Sequence, residues 1–320
     1  MPSALSIQSL KGHGKVAVSH LSLDVALRLL GSWQGVLVLT HHRVGSSAGQ
    51  PWDPAVWSAD AEQLGRQLRT LARATEVIDP GELAAAMRGG RGRRVLITFD
   101  DGYRDNYEVA LPLLRRHGLT ATFFLASGFL DAPRAPWWDE IAWMVRHADV
   151  GAPRPDAAAL IARYKTLADE REGERFLARL ADTLGSGRCP AQEAQKQWMT
   201  WEMARELRDA GMSIGGHTVT HPVLASLSPE RQREEIEGGA RRLREELGVA
   251  MRWFAYPVGA RDSFTSITRD VLRECGVKLA FSYYGGFAHP SRFDALDVPR
   301  VHVDTALAPR LLAQRWGMGT

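Results

Sequence analysis

Residues 94–103 read RVLITFDDGY, a run of apolar, mostly β-branched and aromatic residues that ends in two adjacent carboxylates and a glycine. Such a run predicts a buried strand, with a turn at Asp100-Asp101-Gly102. Residues 105–117 have the pattern of a helix, and residues 120–126 (TATFFLA) predict the next strand. A strand, a polar loop, a helix and another strand in this order are typical of parallel strands joined by helical crossovers.

The same alternation extends on both sides of this segment. Residues 35–44 (GVLVLTHHRV) predict an earlier buried strand, and residues 58–72 predict a helix with Ser58 as its N-cap. Later strands are predicted, with helices between them, at residues 212–215, 253–256, 279–283 and 298–303. About seven such strands predict an α/β fold, an irregular (β/α)7-type barrel that is complete or partly open.

Residues from about 130 to 198 interrupt the alternation. They contain several prolines, a helical segment near residues 160–184 and the breaker Gly185-Ser186-Gly187. We interpret this stretch as a mostly helical insertion within a single domain that spans residues 1–320. Hydrophobic residues make up 45% and charged residues 24% of the chain, the balance of an ordinary globular protein with ample material for a core.

Composition and sequence pattern argue against several classes of protein. The net charge is only +3 and the basic residues form no concentrated stripe, which argues against nucleic-acid binding. No apolar run approaches the roughly 20 residues of a membrane span. Residues 1–20 are broken by Gly12-His13-Gly14 and lack the pattern of a secretion signal, so we expect a cytoplasmic location. The mild positive charge is compatible with peripheral attraction to anionic glycans or membrane phosphates.

Polar side chains follow several of the predicted strands. They are His41-His42, Asp100-Asp101, and the pair His217 and His221. Because enzymes with barrel folds carry their chemistry on the loops after the strands, we expect these groups at one face. Two imidazoles and one carboxylate form a metal site with open positions for water and substrate. A further carboxylate and a further imidazole can then move protons during amide hydrolysis.

Two of these motifs resemble those of a known family. Residues 98–103 (TFDDGY) resemble the first motif of the polysaccharide deacetylases, the NodB-homology or carbohydrate esterase type. Residues 217–222 (HTVTHP) resemble their second motif, HTxxHP. The resemblance extends over roughly residues 35–303 and implies the irregular (β/α) barrel of that family, in agreement with the strand count.

The resemblance implies a role for each motif residue. Asp100 is the catalytic base, Asp101 is the metal carboxylate, and His217 and His221 are the metal imidazoles. The backbone N–H of Tyr103 joins the metal in stabilising the oxyanion. The implied cofactor is Zn²⁺ or another divalent transition metal, since Co²⁺, Ni²⁺ and Fe²⁺ accept the same ligands.

The proton donor departs from the usual pattern, in which a late Leu-x-His motif supplies it. Residues 39–44 (LTHHRV) are similar to the YHxV strand of the permuted branch, typified by poly-N-acetylglucosamine deacetylases. His42 matches its histidine and is our candidate general acid, with His41 where tyrosine is usual. His302, in the sequence Val-His-Val, is the competing candidate.

The third motif also departs from the family's usual pattern. Residues 254–259 (FAYPVG) resemble the family's FRPPYG, which places Tyr256 and Pro257 at the substrate side. Ala255 stands where the family has the arginine that orients the base. Arg300, on the last predicted strand, is the candidate to replace it, although most single arginines make only surface or structural ion pairs. Arg252 precedes its strand and suits the role less well.

These features predict a metal-dependent hydrolase that removes the N-acetyl group from an aminosugar. Its partner is an N-acetylated glycan or a lipid-linked sugar, in surface-polysaccharide assembly in the cytoplasm or at the inner membrane. Trp137 and Trp138 are candidates to cover the substrate. One alternative is a related C–N hydrolase, such as a deformylase of a lipid-linked aminosugar or a cyclic-amide hydrolase. Another is a silent glycan-binding module, against which the retention of Asp100 and Asp101 argues.

Overall fold

The computed structural model describes residues 22–152, 154–304 and 306–315, and its centre is a sheet of parallel strands. Residues 1–20, whose sequence lacks the pattern of a secretion signal, lie outside the described residues. The strands are β1 (Val36–His41), β2 (Arg43–Val44), β3 (Trp57–Ala59), β4 (Glu76–Val77), β5 (Arg94–Phe99), β6 (Thr122–Leu125), β7 (Ser213–Gly216), β8 (Trp253–Ala255), β9 (Leu279–Phe281) and β10 (Val301–His302).

Seven of the strands follow one another in the order β10-β1-β5-β6-β7-β8-β9, and β4 pairs with β5. The pairings between these strands are all parallel; β1, for example, places Leu39 opposite both Ile97 and Val301. The two ends of the row approach each other where Phe281 forms a bridge with Val298, just before β10. The predicted irregular α/β barrel is therefore confirmed.

Helices connect the strands and bury apolar faces against them. They are α1 (Leu23–Leu30), α2 (Ala61–Ala74), α3 (Leu83–Arg88), α4 (Leu111–His117, preceded by a π-helical turn at Asn106–Ala110), α5 (Ser127–Asp131), α6 (Trp137–Arg146), α7 (Ala157–Tyr164), α8 (Glu170–Leu184), α9 (Ala191–Gln195), α10 (Trp201–Asp209), α11 (Pro229–Leu247), α12 (Ser266–Glu274) and α13 (Leu307–Arg315). None of the helices in these described ranges is long and apolar enough to cross a bilayer.

The start of α2 differs from the sequence prediction. Asp60, not Ser58, is the N-cap, and its side chain forms a capping box with Gln63. Ser58 instead lies in β3, where its hydroxyl accepts a hydrogen bond of 2.9 Å from the backbone N–H of His42. The prediction was wrong because β3 pairs with β2, a tertiary contact that extends the chain past Ser58. This pairing fixes the backbone next to a candidate catalytic residue.

Both faces of the sheet are buried, as expected of a parallel sheet. Leu37 and Leu39 of β1 pack in the cluster that includes the buried side chains of α2, whereas Val36 and Val38 pack in a separate cluster with Phe281. This alternation explains why the strands read as continuous apolar runs in the sequence. Polar groups are thereby concentrated where the strands end.

Helices α6 to α9 fill the segment that interrupts the alternation, which is helical as predicted. Their apolar side chains form a cluster that includes Trp138, Ile141 and Leu177. The same cluster contains Tyr103 and Trp198, so these helices pack directly on the loop that follows β5. The segment thus forms one wall of the region where the polar groups meet.

Candidate active site

The carboxyl ends of the strands surround a cavity of about 250 Å³. Its lining brings together most of the residues singled out from the sequence, because parallel strands end at the same edge of the sheet. They are His42, Asp100, Asp101, Trp137, Trp138, His217, His221, Tyr256, Arg300 and His302. Tyr103 and Pro257 are not among the lining residues.

Asp101, His217 and His221 form a compact, buried group. Their candidate ligand atoms all lie within 4.8 Å of one another. Oδ1 of Asp101 is 3.2 Å from Nε2 of His217 and 3.4 Å from Nε2 of His221. Nδ1 of His217 is 2.7 Å from the carbonyl oxygen of Ala255, which can only accept, so Nδ1 carries a proton and Nε2 faces Asp101.

This group fits a divalent transition metal. Oδ1 of Asp101 is buried and has no hydrogen-bond partner among the described residues, a costly arrangement unless a cation lies beside it. Burial lowers the pKa of His221 to about 3, which keeps its imidazole neutral and able to bind a metal. Two imidazole nitrogens and one carboxylate oxygen are suitable ligands for zinc and its neighbours in the transition series.

The pKa values of the other two candidate ligands fit the same assignment. Burial raises the pKa of Asp101, but the adjacent imidazole of His217 and the charges of His221 and His42 lower it overall, so the carboxylate is ionised. Burial lowers the pKa of His217, but the carboxylates of Asp101 and Asp100 raise it overall. A cation is thus favoured at Nε2 of His217, and a metal would displace the proton there.

The backbone of these residues adopts an uncommon conformation. Asp101, Thr218 and His221 have positive φ angles of 75°, 66° and 58°, a region that residues other than glycine seldom occupy. Such strain persists only where the surroundings enforce it, and it concentrates at functional sites. Both loops that supply the candidate metal ligands are therefore held against their local preference.

Glu235 of α11 holds the loop between the two histidines. One carboxylate oxygen accepts the backbone N–H groups of Val219 (2.9 Å) and Thr220 (2.8 Å), and the other accepts the Thr220 hydroxyl (2.8 Å). On the opposite side, the backbone N–H groups at the start of α5 donate to two carbonyls of the same loop. Glu235 is buried, so these bonds are protected from water.

Replacing Glu235 with Ala is expected to weaken metal binding about 10- to 100-fold, the usual cost of losing a group that orients metal ligands. Competition with a chromophoric chelator would measure the affinity. Glu234→Ala is the matched control, because Glu234 is exposed and, in the described part of the chain, its ion pair is with Arg231. An unchanged affinity in Glu235→Ala would show that the loop keeps its shape without this carboxylate.

Asp100 and Arg300 form a buried, two-pronged ion pair. Nη1 and Nη2 of Arg300 donate to the two carboxylate oxygens of Asp100 at 2.7 and 2.8 Å. Arg300 is fixed in turn by bonds to the Ser282 carbonyl (3.1 Å) and the Thr98 hydroxyl (3.2 Å). Burial raises the pKa of Asp100, but the charge and hydrogen bonds of Arg300, together with the nearby His217 and His42, lower it overall below its ordinary value. Arg252 is exposed and does not line the cavity.

The two candidate proton donors differ in their surroundings. Nε2 of His42 is 4.0 Å from Oδ2 of Asp100, and Nδ1 has no hydrogen-bond partner among the described residues. In His302, Nδ1 is hydrogen-bonded to the Tyr283 hydroxyl and Nε2 is 3.8 Å from Asp304. Burial, with a smaller contribution from His42, lowers the pKa of His302 to about 4, so its ring is neutral. These contacts favour His42 as the proton donor.

His41 and the predicted substrate-side residues have other contacts. His41 stacks on Phe99 at 4.7 Å, away from the cavity, and burial lowers its pKa to about 4. The Tyr103 hydroxyl donates to Asp139, while its backbone N–H donates to none of the described residues. Tyr256 lines the cavity, but its hydroxyl donates to the Leu296 carbonyl at 2.8 Å.

Several residues that line the cavity were not predicted from the sequence. Tyr283 lies at the end of the predicted strand 279–283, so the rule applied to the other strands could have found it. Asp53 and Lys165 come from segments without strand periodicity, and no signal in the sequence pointed to them. They reach the cavity because β3 and the helical segment pack over the strand ends.

The comparisons with known proteins identify the family. The family model described as polysaccharide deacetylase matches residues 88–280, more than half of the chain. The chain belongs to this family. YxkH of Bacillus subtilis (strain 168), named for the same family, is 24% identical over 165 residues, which are 52% of this chain and 37% of YxkH. The matched region therefore spans well under half the length of that relative.

Solved structures share the fold of this polysaccharide deacetylase family member. The Streptococcus pyogenes deacetylase PplD, in complex with acetate, has a TM-score of 0.58 and 18% identity, with 88% of this chain and 97% of PplD covered. IcaB from Ammonifex degensii has a TM-score of 0.57 and 24% identity, with 90% and 98% covered. At these identities the likeness confirms the barrel fold of the family.

Proposed function

We propose that this protein is a metal-dependent deacetylase that hydrolyses the N-acetyl group of an aminosugar in a glycan. The observation that carries the proposal is one cavity in which a buried Asp101–His217–His221 group adjoins the Asp100–Arg300 ion pair and His42. Membership of the polysaccharide deacetylase family supports the same reaction class. PplD, a deacetylase with the same fold, was solved with acetate bound, which fits acetate as the product of hydrolysing an N-acetyl group.

The residues divide the work of amide hydrolysis. Asp101, His217 and His221 would hold a divalent metal, which would supply a Lewis acid for the acetyl carbonyl and lower the pKa of water. Asp100, ionised and held by Arg300, accepts the proton of the attacking water. His42, in the same cavity, donates a proton to the departing amine, which otherwise leaves poorly. The backbone N–H of Tyr103, which donates to none of the described residues, is the candidate donor to the oxyanion.

The proposal also covers the class of substrate, the identity of the metal and the place of the reaction in the cell. The substrate is a polysaccharide, an oligosaccharide or a lipid-linked precursor, and Zn²⁺ is the first metal to test because two imidazoles and one carboxylate suit it. Trp137 and Trp138 line the cavity, where aromatic rings can cover a sugar. We place the reaction in surface-polysaccharide assembly, in the cytoplasm or at the inner membrane, and treat residues 1–320 as one domain.

Acetate release from N-acetylglucosamine oligomers, with and without metal, tests this function. Stripping the protein with a chelator should lower the rate by on the order of 100-fold or more, since a Lewis acid contributes several kcal/mol. Added Zn²⁺ should restore the rate in the wild type but not in His217→Ala. Full activity in protein shown by elemental analysis to be metal-free would contradict the proposal. Stoichiometric metal without acetate release would redirect the search to other C–N substrates.

A further inference from the structure

A second cavity, of about 210 Å³, adjoins the candidate active site. Trp137 and His221 line both cavities, so the two spaces meet at these side chains. The rest of its lining comes largely from the helical segment, including Glu140, Tyr164 and Arg188. The reaction described above uses none of these three residues.

The boundary between the two cavities is a fixed aromatic wall. The Trp137 ring stacks on Tyr164 with centroids 4.6 Å apart and an interplanar angle of 11°. Its neighbour Trp138 meets it edge-on at 5.0 Å. Because one aromatic ring holds the other, Trp137 has little freedom to turn. A rigid indole at such a boundary offers an apolar surface on which the C–H face of a sugar ring can pack.

The polar lining of the second cavity suits hydroxyl groups. Nε and Nη2 of Arg188 donate to the two oxygens of the buried Glu140 at 2.6 and 2.9 Å, and Nη1 donates to Glu174 at 2.6 Å. These contacts fix both the guanidinium and the carboxylates in place. The group therefore presents oriented donors and acceptors, which complement the hydroxyls of a sugar.

The two cavities have similar volumes, about 210 and 250 Å³. We propose that the second cavity binds the sugar residue next to the one that is deacetylated, with Trp137 at the linkage between them. The substrate is then an aminosugar oligomer or polymer of at least two residues, not a single sugar on a carrier. This inference rests on the proposed deacetylase function and narrows its substrate class.

The dependence of kcat/KM on glycan length tests the proposal. We expect wild-type kcat/KM to rise at least about tenfold from N-acetylglucosamine to its dimer or trimer. This rise corresponds to about 1.4 kcal/mol of additional binding free energy in the transition state. Ser226 lines the second cavity, and Ser226→Trp would fill it. This variant should reduce the ratio of oligomer to monomer kcat/KM towards one. Arg175→Trp is the control, because it adds the same ring at an exposed site on α8 outside the lining and should keep the wild-type ratio.

Two outcomes would overturn the second site. One is a wild-type kcat/KM that does not change with length, and the other is an unchanged ratio in a folded Ser226→Trp protein. Glu174→Gln is a second test variant: it leaves the cavity unfilled but weakens the ion pair that positions Arg188. It should lower the ratio of oligomer to monomer kcat/KM less than Ser226→Trp does. Failure of the deacetylase proposal itself would look different, since no glycan of any length would then release acetate.

Discussion

Replacing Asp100 with Asn is expected to lower kcat for acetate release by about 10²–10⁴-fold, the usual contribution of a general base. The side chain keeps its shape, but an amide cannot accept the proton of the attacking water. Asp100 is not one of the three candidate metal ligands, so the metal content should stay near the wild-type value. Acetate release and elemental analysis on the same preparations would measure both quantities.

The pH profile of the wild type gives this prediction a second test. Because Arg300 holds the pKa of Asp100 below its ordinary value, the base is ionised at neutral pH. Loss of kcat/KM from protonation of Asp100 should therefore occur only below the ordinary range of a carboxyl group. His302→Gln and His42→Gln form an informative pair, because a large loss of activity in His302→Gln without one in His42→Gln would identify His302 as the proton donor instead. An Asp100→Asn enzyme that keeps its full rate would remove Asp100 from the base role.

The local part of the site could be predicted from the sequence because each motif is a short segment. Asp100 and Asp101 follow a readable strand, and His217 and His221 are four residues apart. That these motifs face one cavity followed from the rule that parallel strands present their carboxyl ends together. Nothing beyond the strand pattern and the family motifs was needed for this result.

The Arg300 contact shows where such reasoning becomes weaker. Arg300 is 200 residues from Asp100, and the two meet because β10 and β5 lie on either side of β1. The sequence could nominate Arg300 only from its place on the last predicted strand, since strand order is set by packing across the whole barrel. The second cavity could not be predicted at all, because Tyr164 and Arg188 have no periodic pattern that relates them to the strands.

Replacing Arg300 with Met is expected to lower the free energy of unfolding by about 3–5 kcal/mol, the usual cost of leaving one member of a buried ion pair unpaired. Asp100 would stay buried without its counter-charge, since Arg300 is 1% exposed and Asp100 is 2% exposed. Denaturant unfolding would measure the loss. Arg252→Met is the matched control, because that arginine is exposed and should change stability little.

Combining Arg300→Met with Asp100→Asn separates the contribution of the ion pair to stability from the role of Asp100 as the catalytic base. Removing both charges should recover much of the stability lost in Arg300→Met, because no unpaired charge then remains buried. Activity should stay low, since the base is absent. In Arg300→Met alone, burial would raise the pKa of Asp100, so the acid limb of the kcat/KM profile should move to higher pH. A double variant as unstable as Arg300→Met would show that Arg300 stabilises the barrel through Ser282 and Thr98 instead of through Asp100.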